Sequence, residues 1–418
     1  MQSAHACTLL IWTISLASIL CMLLRPRRIA EAYWVCGGAM LLILTRLIPL
    51  PQAMHAVYEG SDVYFFLAGM MILAEVAREE GVFEWVADVA AEHARNSPLR
   101  LFALIYLLGA VVTALLSNDA TAVVLTPAVL AVVRRAKADP RPYLLACAFI
   151  ANAASFVFPI SNPANLVVFD RHMPPFVLWL RIFLLPSLAS ILVTFLCLRR
   201  LSRKQLREEL RGKAERILLS TEGKLALVGL AVAAVALISS SALGLSLGAP
   251  TGAAALFAMA VVTWRNRRIP LRVATGVSWS VLPLVAGLFV IVEALQNAGL
   301  QSLGLAGMRT LAETTGWLAK GMAAFGVALL SNGMNNLPVA LMSGAAVRHA
   351  QETSIVAHAM LIGVDLGPNL SVTGSLATIL WLIALRREKV QVTAWEFFKI
   401  GVIAMPLALI ASLLLLWN

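Results

Sequence analysis

The feature that most constrains this chain is its apolar runs of about 17–25 residues, separated by short basic segments. That length crosses the ~30 Å hydrocarbon layer of a bilayer as a helix. Hydrophobic residues make up 60% of the chain and charged residues 13%, against roughly 25% charged in a soluble domain. The chain is therefore expected to be an all-α polytopic membrane protein. Its net charge of +11 does not point to nucleic acid, because the basic residues lie between the apolar runs rather than among aromatics. The five cysteines stand singly, so neither a disulfide framework nor a zinc site is expected. No metal ligand set and no phosphate-binding glycine loop is present, so a nucleotide-hydrolysing or metalloprotease reading has no support. The first run, Cys7 to Leu24, lacks a basic leader and a small-residue cleavage site, and reads as a retained helix.

Single spans are expected near 7–24, 33–50, 63–77, 143–169, 176–198, 225–241, 250–264, 281–296, 355–385 and 397–417. Two further runs, 99–133 and 317–347, are twice as long, and each carries a polar break at its centre: Ser117-Asn118 and Ser331-Asn332. Arg95 and Arg100 precede the first run, and Arg134, Arg135, Lys137 and Arg141 follow it. Both ends therefore belong on one side, and arms of ~15 residues are short for a full crossing. Each run is expected to be a re-entrant helical hairpin. About ten spans plus two hairpins then place most of the 33 Lys and Arg on one face. By the positive-inside rule that face is cytoplasmic, which puts both termini in the periplasm. The stretch Arg199–Glu222 mixes charges at helical spacing and reads as a solvated cytoplasmic linker, with docking of a soluble partner as the alternative.

The two halves echo each other. FFLAGMMILAEVA (65–77) matches PLVAGLFVIVEAL (283–295), aligning Glu75 with Glu293. LLSNDATAVVLTPAVLAVVR matches LLSNGMNNLPVALMSGAAVR (329–348), and ANAASFVFPISNPAN (151–165) matches VDLGPNLSVTGSLAT (364–378), pairing Asn152 with Asp365. The offsets of 218, 214 and 213 residues are nearly constant. The expected organisation is a first inverted repeat over 1–200, a basic linker over 201–222 and a second inverted repeat over 223–418. Each repeat holds one hairpin and one broken helix (143–169 and 355–385), the arrangement of secondary transporters.

Unwound backbone at membrane depth survives only when buried in protein or facing a polar cavity. Four segments qualify: the two hairpin tips, and the breaks PISNPAN (159–165) and GPNLSVTGS (367–375). Freed amides and helix N-termini bind oxygen atoms, and freed carbonyls bind cations or hydroxyl donors. Candidate substrate-binding residues are Ser117, Asn118, Asn152, Ser161, Asn162, Asn165, Ser331, Asn332, Asn335, Asn336, Asn369, Thr373 and Ser375. For any one of them the competing role is to satisfy local backbone. Asp119 and Asp365 are the intramembrane acids, expected to carry protons, with a permanently charged helix cap as the alternative for each. Glu75 and Glu293 lie toward span ends and read as structural or interfacial.

The blocks LLSNDATAVVLTP, PISNPANLVVF, LLSNGMNNLPVAL and VDLGPNLSVTGSLATILW together resemble the ArsB-type arsenical pump membrane proteins, arsenite efflux transporters of the ion transporter superfamily. The resemblance covers nearly the whole chain, whereas the SN-containing hairpins alone are shared with sodium/proton antiporters and dicarboxylate transporters. It implies export of arsenite and antimonite across a bacterial inner membrane in exchange for protons, without a cofactor. It also implies that a soluble arsenite-stimulated ATPase is a partner of some such systems, and a hairpin-bearing core that moves against a scaffold. A sodium (cation)/proton antiporter is the rival reading, and a dicarboxylate transporter a weaker one, since no break contains Lys or Arg. Ligation of arsenic by cysteine is not expected, because no two cysteines share a break.

Overall fold

The computed structural model describes residues 2–169, 173–207, 210, 218–264, 266–300, 302–304, 306–307, 310, 316–350 and 355–417. The linker expected over 201–222 lies largely outside the described residues. Among the described residues there is no strand. Helices α1 (Gln2–Leu24) and α2 (Glu31–Leu44) lead to α3 (Leu50–Glu59) and α4 (Ser61–Glu79). Then come α5 (Val82–His93), α6 (Pro98–Leu115), a π-helical stretch Ala120–Leu125 and α7 (Thr126–Arg135). The first half closes with α8 (Arg141–Ala153), α9 (Pro163–Phe169) and α10 (Phe176–Leu201). The second half comprises α11 (Thr221–Ala242), α12 (Gly248–Thr263), α13 (Ile269–Gly276), α14 (Val281–Leu295), α15 (Gly316–Met334), α16 (Asn336–Ala350), α17 (Ile355–Leu366), α18 (Leu376–Arg387) and α19 (Ala394–Leu414).

Among the described residues, six helices are long and apolar enough to cross a membrane, or seven if the bent pair α3–α4 counts as one span. In α1, α10 and α11 only 28% of the apolar window is buried, so most of their surface is left to lipid. The hydrophobic effect cannot hold such faces together in a bilayer; close packing and interhelical hydrogen bonds do that work. Accordingly, polar side chains are sealed between helices. Tyr106 donates to the Ile191 carbonyl at 2.7 Å, Ser190 to Ala153 at 2.9 Å and Ser412 to Pro186 at 3.0 Å.

The run 99–133 does double back. Thr121 lies 2.8 Å from Thr113 through their hydroxyls and 3.3 Å from the Gly109 carbonyl, so the chain reverses between Leu116 and Asp119. Its first arm, α6, has 18 residues rather than ~15 and is long enough to cross the membrane by length alone. The second run differs from the sequence expectation. Its helix continues through Ser331 and Asn332 and ends only at Asn335, which takes a left-handed conformation (φ 75°). The reason is local: Ser331 donates to the Val327 carbonyl at 3.0 Å and Asn332 to the Ala328 carbonyl at 2.7 Å, which keeps both inside the last turn. Ser117, by contrast, accepts from the amide of Ala120 at 3.2 Å, as a residue opening a helix does. The same dipeptide thus stands at the break of one hairpin and inside the helix of the other.

Three short helices had no counterpart in the sequence reading. Helices α3, α5 and α13 are too short to span, and α5 and α13 flank the ends of the spans that carry the basic residues.

Candidate functional site

The breaks at 159–161 and 367–369 lie side by side and lock together through two side-chain bonds. Asn152 at the end of α8 donates to Asn369 Oδ1 at 3.0 Å, and Asn369 donates to the Phe149 carbonyl at 3.0 Å. Asn162 donates to Asp365 Oδ1 at 2.7 Å. Both pairs are buried and join residues more than 200 positions apart. Pro159, Pro163 and Pro368 sit at these breaks, where a residue without an amide hydrogen cannot continue the preceding helix.

Around this joint the candidate residues fall into two groups. Asn165 spans the first break, donating to the carbonyls of Ser155 at 2.9 Å and Pro159 at 3.3 Å. Ser161 accepts from the Phe158 amide at 3.0 Å and donates to the Ala114 carbonyl at 3.1 Å, which ties the break to the end of α6. Asn332 donates to the Gly367 carbonyl at 2.9 Å and accepts from Ser371 at 2.6 Å, while Thr373 donates to the Asn332 carbonyl at 3.0 Å. The Asn336 amide completes this seam on the Gly374 carbonyl at 2.8 Å. Gly374 must be small here: a Cβ would stand 2.9 Å from Asn332 Oδ1 and closer still to Pro368. Asn335 accepts from the Leu337 amide at 3.4 Å. Apart from Asn336, these residues, with Ser331, Asn152 and Asn369, form a framework behind the site and are absent from the walls of the two cavities beside the breaks.

The second group faces open space. A cavity of about 30 Å³ is lined by Asn118, Asp119, Asn162, Asn336 and Ser375 together with Leu67, Val281 and Val285 of the facing helices. A neighbouring cavity of about 80 Å³ shares Leu67, Asp119, Pro163 and Val281 and continues past Ser117 to Glu75, Gly276 and Ser278. Asp119 is thus the acid on the wall of both. No described lining residue of either is Lys, Arg or Cys. Asp365 is fully buried behind Asn162 and lines neither. Its Oδ2, like Asn152 Oδ1 and Asn165 Oδ1, accepts no hydrogen bond from the protein.

Sequence reasoning missed the wall opposite the breaks. Leu67 and Met70 of α4 and Val281 and Val285 of α14 are apolar residues inside apolar helices and carry no mark of their own. It also placed Glu75 outside the site. The one available signal was its match with Glu293, which lines a separate cavity of about 500 Å³ at the other end of α4, beside Glu59, Asp62 and Arg348. Gln52 donates to Glu293 there at 2.9 Å.

Helices broken at facing prolines and asparagines, hairpins between them and lipid-facing outer spans define a multi-pass membrane protein, and its family and relatives make it a transporter. The profile of the citrate transporter family (CitMHS) matches residues 9–365, and the chain belongs to that family. The arsenical pump membrane protein of Escherichia coli K12 is 28% identical over 411 residues, covering 94% of this chain and 95% of its own. An uncharacterized transporter of Mycobacterium tuberculosis is 30% identical over 418 residues, covering 95% of each chain. The resemblance to arsenical pump membrane proteins seen in the motifs thus extends along the chain. Among solved structures, the YdaH transporter of Alcanivorax borkumensis shares the fold with a TM-score of 0.58 at 14% identity, over 87% of this chain and 86% of that one. MtrF of Neisseria gonorrhoeae follows with a TM-score of 0.52 at 15% identity, over 90% and 83%.

Proposed function

We propose that this transporter exports arsenite, and antimonite with it, across the bacterial inner membrane in exchange for protons. The observation that carries the reading is the wall of the cavity at the breaks. At the breaks Asp119 stands among the amides and hydroxyls of Asn118, Asn162, Asn336, Ser375 and Ser117, with no Lys or Arg among the described lining residues. Arsenite at neutral pH is mostly the uncharged trihydroxide, which such donors and acceptors suit. The name of the E. coli relative supports the same substrate. No cysteine lines the cavity, which favours oxygen contacts that release their ligand over thiolates that hold it.

In this reading Ser117, Asn118, Asn162, Asn336 and Ser375 contact the substrate. The framework residues Asn152, Ser161, Asn165, Ser331, Asn332, Asn335, Asn369 and Thr373 hold the broken helices in register. Asp119 carries the proton that is exchanged. Asp365 keeps its proton in this conformation, because an ionised carboxylate sealed away without a cation costs several kcal/mol. The chain then comprises inverted repeats over 1–200 and 223–418 joined by a cytoplasmic linker at 201–222, with periplasmic termini. The hairpins and broken helices move as a core against a scaffold of outer spans.

The family description favours a second reading, in which the substrate is a carboxylate such as citrate. A polyanion would bring its charges against Asp119 with no lining cation to offset them, which is unfavourable at low dielectric. A sodium/proton antiporter would use the same oxygens and acid. Growth of an efflux-deficient host separates these readings. Expression is expected to raise tolerance to arsenite and antimonite but not to high sodium, and to confer no citrate uptake. Sodium tolerance without arsenite tolerance, or citrate uptake, refutes the assignment.

A further inference from the structure

The 80 Å³ cavity has a second acid at its far end. Glu75 is buried in the last turns of α4, yet its carboxylate lines the cavity that begins at Asp119. Arg78, one turn on, donates to Glu75 through Nε at 2.8 Å and through Nη2, and its Nη2 also reaches Glu79 at 2.7 Å. From α13, Arg272 lies 3.6 Å from Glu79, and Glu84 of α5 adds its charge near Arg78. The ionisable groups around Glu75 are therefore Arg78, Glu79, Glu84 and Arg272 at the helix end, and Asp119 across the cavity.

The scaffold makes room for this carboxylate at one point. α13 ends at Gly276, and a Cβ there would overlap Glu75 Oε1 outright and meet Arg78 Nη2 at 3.1 Å. The missing side chain is what lets the carboxylate turn into the cavity beside Ser278. The space is large enough for a few water molecules at ~10–15 Å³ each and has polar partners at both ends, the two conditions for holding them. Its repeat counterpart, Glu293, lines the vestibule at the opposite end of α4, about 20 Å away along a helix rising ~1.5 Å per residue.

We propose that Glu75 is the proton relay between Asp119 and the cytoplasm, an inference that rests on the proton exchange proposed above. Protonated Asp119 gives its proton to cavity water. The Glu75 carboxylate takes it up, then releases it to the cytoplasm and returns to its ion pair with Arg78. One proton crosses per cycle of the two acids, and each ends as it began once Asp119 is reprotonated from the other side.

The test uses everted vesicles carrying the full chain, with arsenite as the probe. Two fluxes are read: uptake driven by an acid interior, and arsenite–arsenite exchange, which moves no net proton. The wild type is expected to show both, and Asp119→Asn to lose the first. Glu75→Gln is expected to lower the ratio of driven to exchange flux by about a hundredfold, the low end for loss of a positioned proton-transfer group. Gly276→Ala, which keeps the acid but displaces it, is expected to lower the ratio in the same direction, and Glu75→Asp to restore part of it. Glu79→Gln, which also loses a bond to Arg78 but lies off the cavity, is expected to hold the wild-type ratio. A wild-type ratio in Glu75→Gln, with Asp119→Asn inactive, overturns the relay alone. An equal fall in Glu79→Gln also overturns it, since the cause would then be the charge on Arg78. Absence of driven uptake in the wild type overturns the exchange reading itself.

Discussion

Two asparagines that occupy the same place in the repeated SN dipeptide are expected to respond oppositely to truncation. Asn332 is tied on every side: its amide donates to the Ala328 and Gly367 carbonyls, and its side-chain oxygen accepts from Ser371. Asn332→Ala leaves the Gly367 carbonyl and the Ser371 hydroxyl without that partner, at ~1 kcal/mol for each bond and up to ~3 for a group left buried and unpaired. The expected loss is about 2–4 kcal/mol, read as a fall of several degrees in the unfolding temperature of the detergent-solubilised protein. Asn118, in contrast, makes one local bond, to the Asp119 amide at 3.0 Å, and faces the cavity. Asn118→Ala is expected to keep the unfolding temperature within about 1 kcal/mol of stability and to weaken arsenite transport at low substrate concentration. The reverse outcome, a stable Asn332→Ala with weakened substrate affinity and a destabilised Asn118→Ala, would refute the division of the breaks into framework and wall.

Other perturbations follow from the same geometry. Asp365→Asn keeps an acceptor for Asn162 and replaces the neutral carboxyl with an amide of the same shape, so its unfolding temperature is expected to equal or exceed that of the wild type. Asn162→Ala strands the Asp365 carboxyl and is expected to cost ~1–3 kcal/mol in the same thermal measurement. Helix α19 opens with a reciprocal cap: Thr393 Oγ1 accepts from the Glu396 amide at 3.1 Å and Glu396 Oε2 accepts from the Thr393 amide at 2.9 Å. Thr393→Ala is expected to destabilise this helix start by ~1 kcal/mol, seen as faster amide exchange over its first turn. The bond from the Thr393 amide holds the Glu396 carboxyl below its usual value of 4.5. The Glu396 contribution to that cap is therefore complete above pH 4.5 and lost as the pH falls through the lower folded value, which the same exchange measurement follows.

Much of the fold was legible because a bilayer imposes a length rule on apolar helices. The run 99–133 appears as α6, a π turn and α7, and the breaks 159–165 and 367–375 are broken helices in the structure. The apolar-run criterion was blind to α3, α5 and α13, since a helix of 8 to 12 residues lying at a span end leaves no spanning signature. It also put the second break at Ser331-Asn332, whereas side-chain bonds to Val327 and Ala328 keep those residues helical and Asn335 ends the turn. Within the site, residue type could identify which segments are polar at membrane depth. It could not tell Asn118, which faces a cavity, from Asn332, which is sewn to the neighbouring break, because the Gly367 and Ser371 partners that hold Asn332 are 35 or more positions away. Glu75 was set aside for the same reason: the glycine that seats it is on another helix, some 200 residues on.

In the proposed cycle Asp119 couples outward arsenite movement to inward proton movement. This coupling is tested most directly with purified protein in liposomes free of ATP, under an imposed pH gradient with an acid interior. The wild type is expected to accumulate arsenite only while the gradient lasts and to alkalinise the lumen as it does so. Asp119→Asn is expected to do neither, although present in the membrane at the same level. Arsenite accumulation by Asp119→Asn at the wild-type rate, or wild-type uptake indifferent to the gradient, would contradict the account.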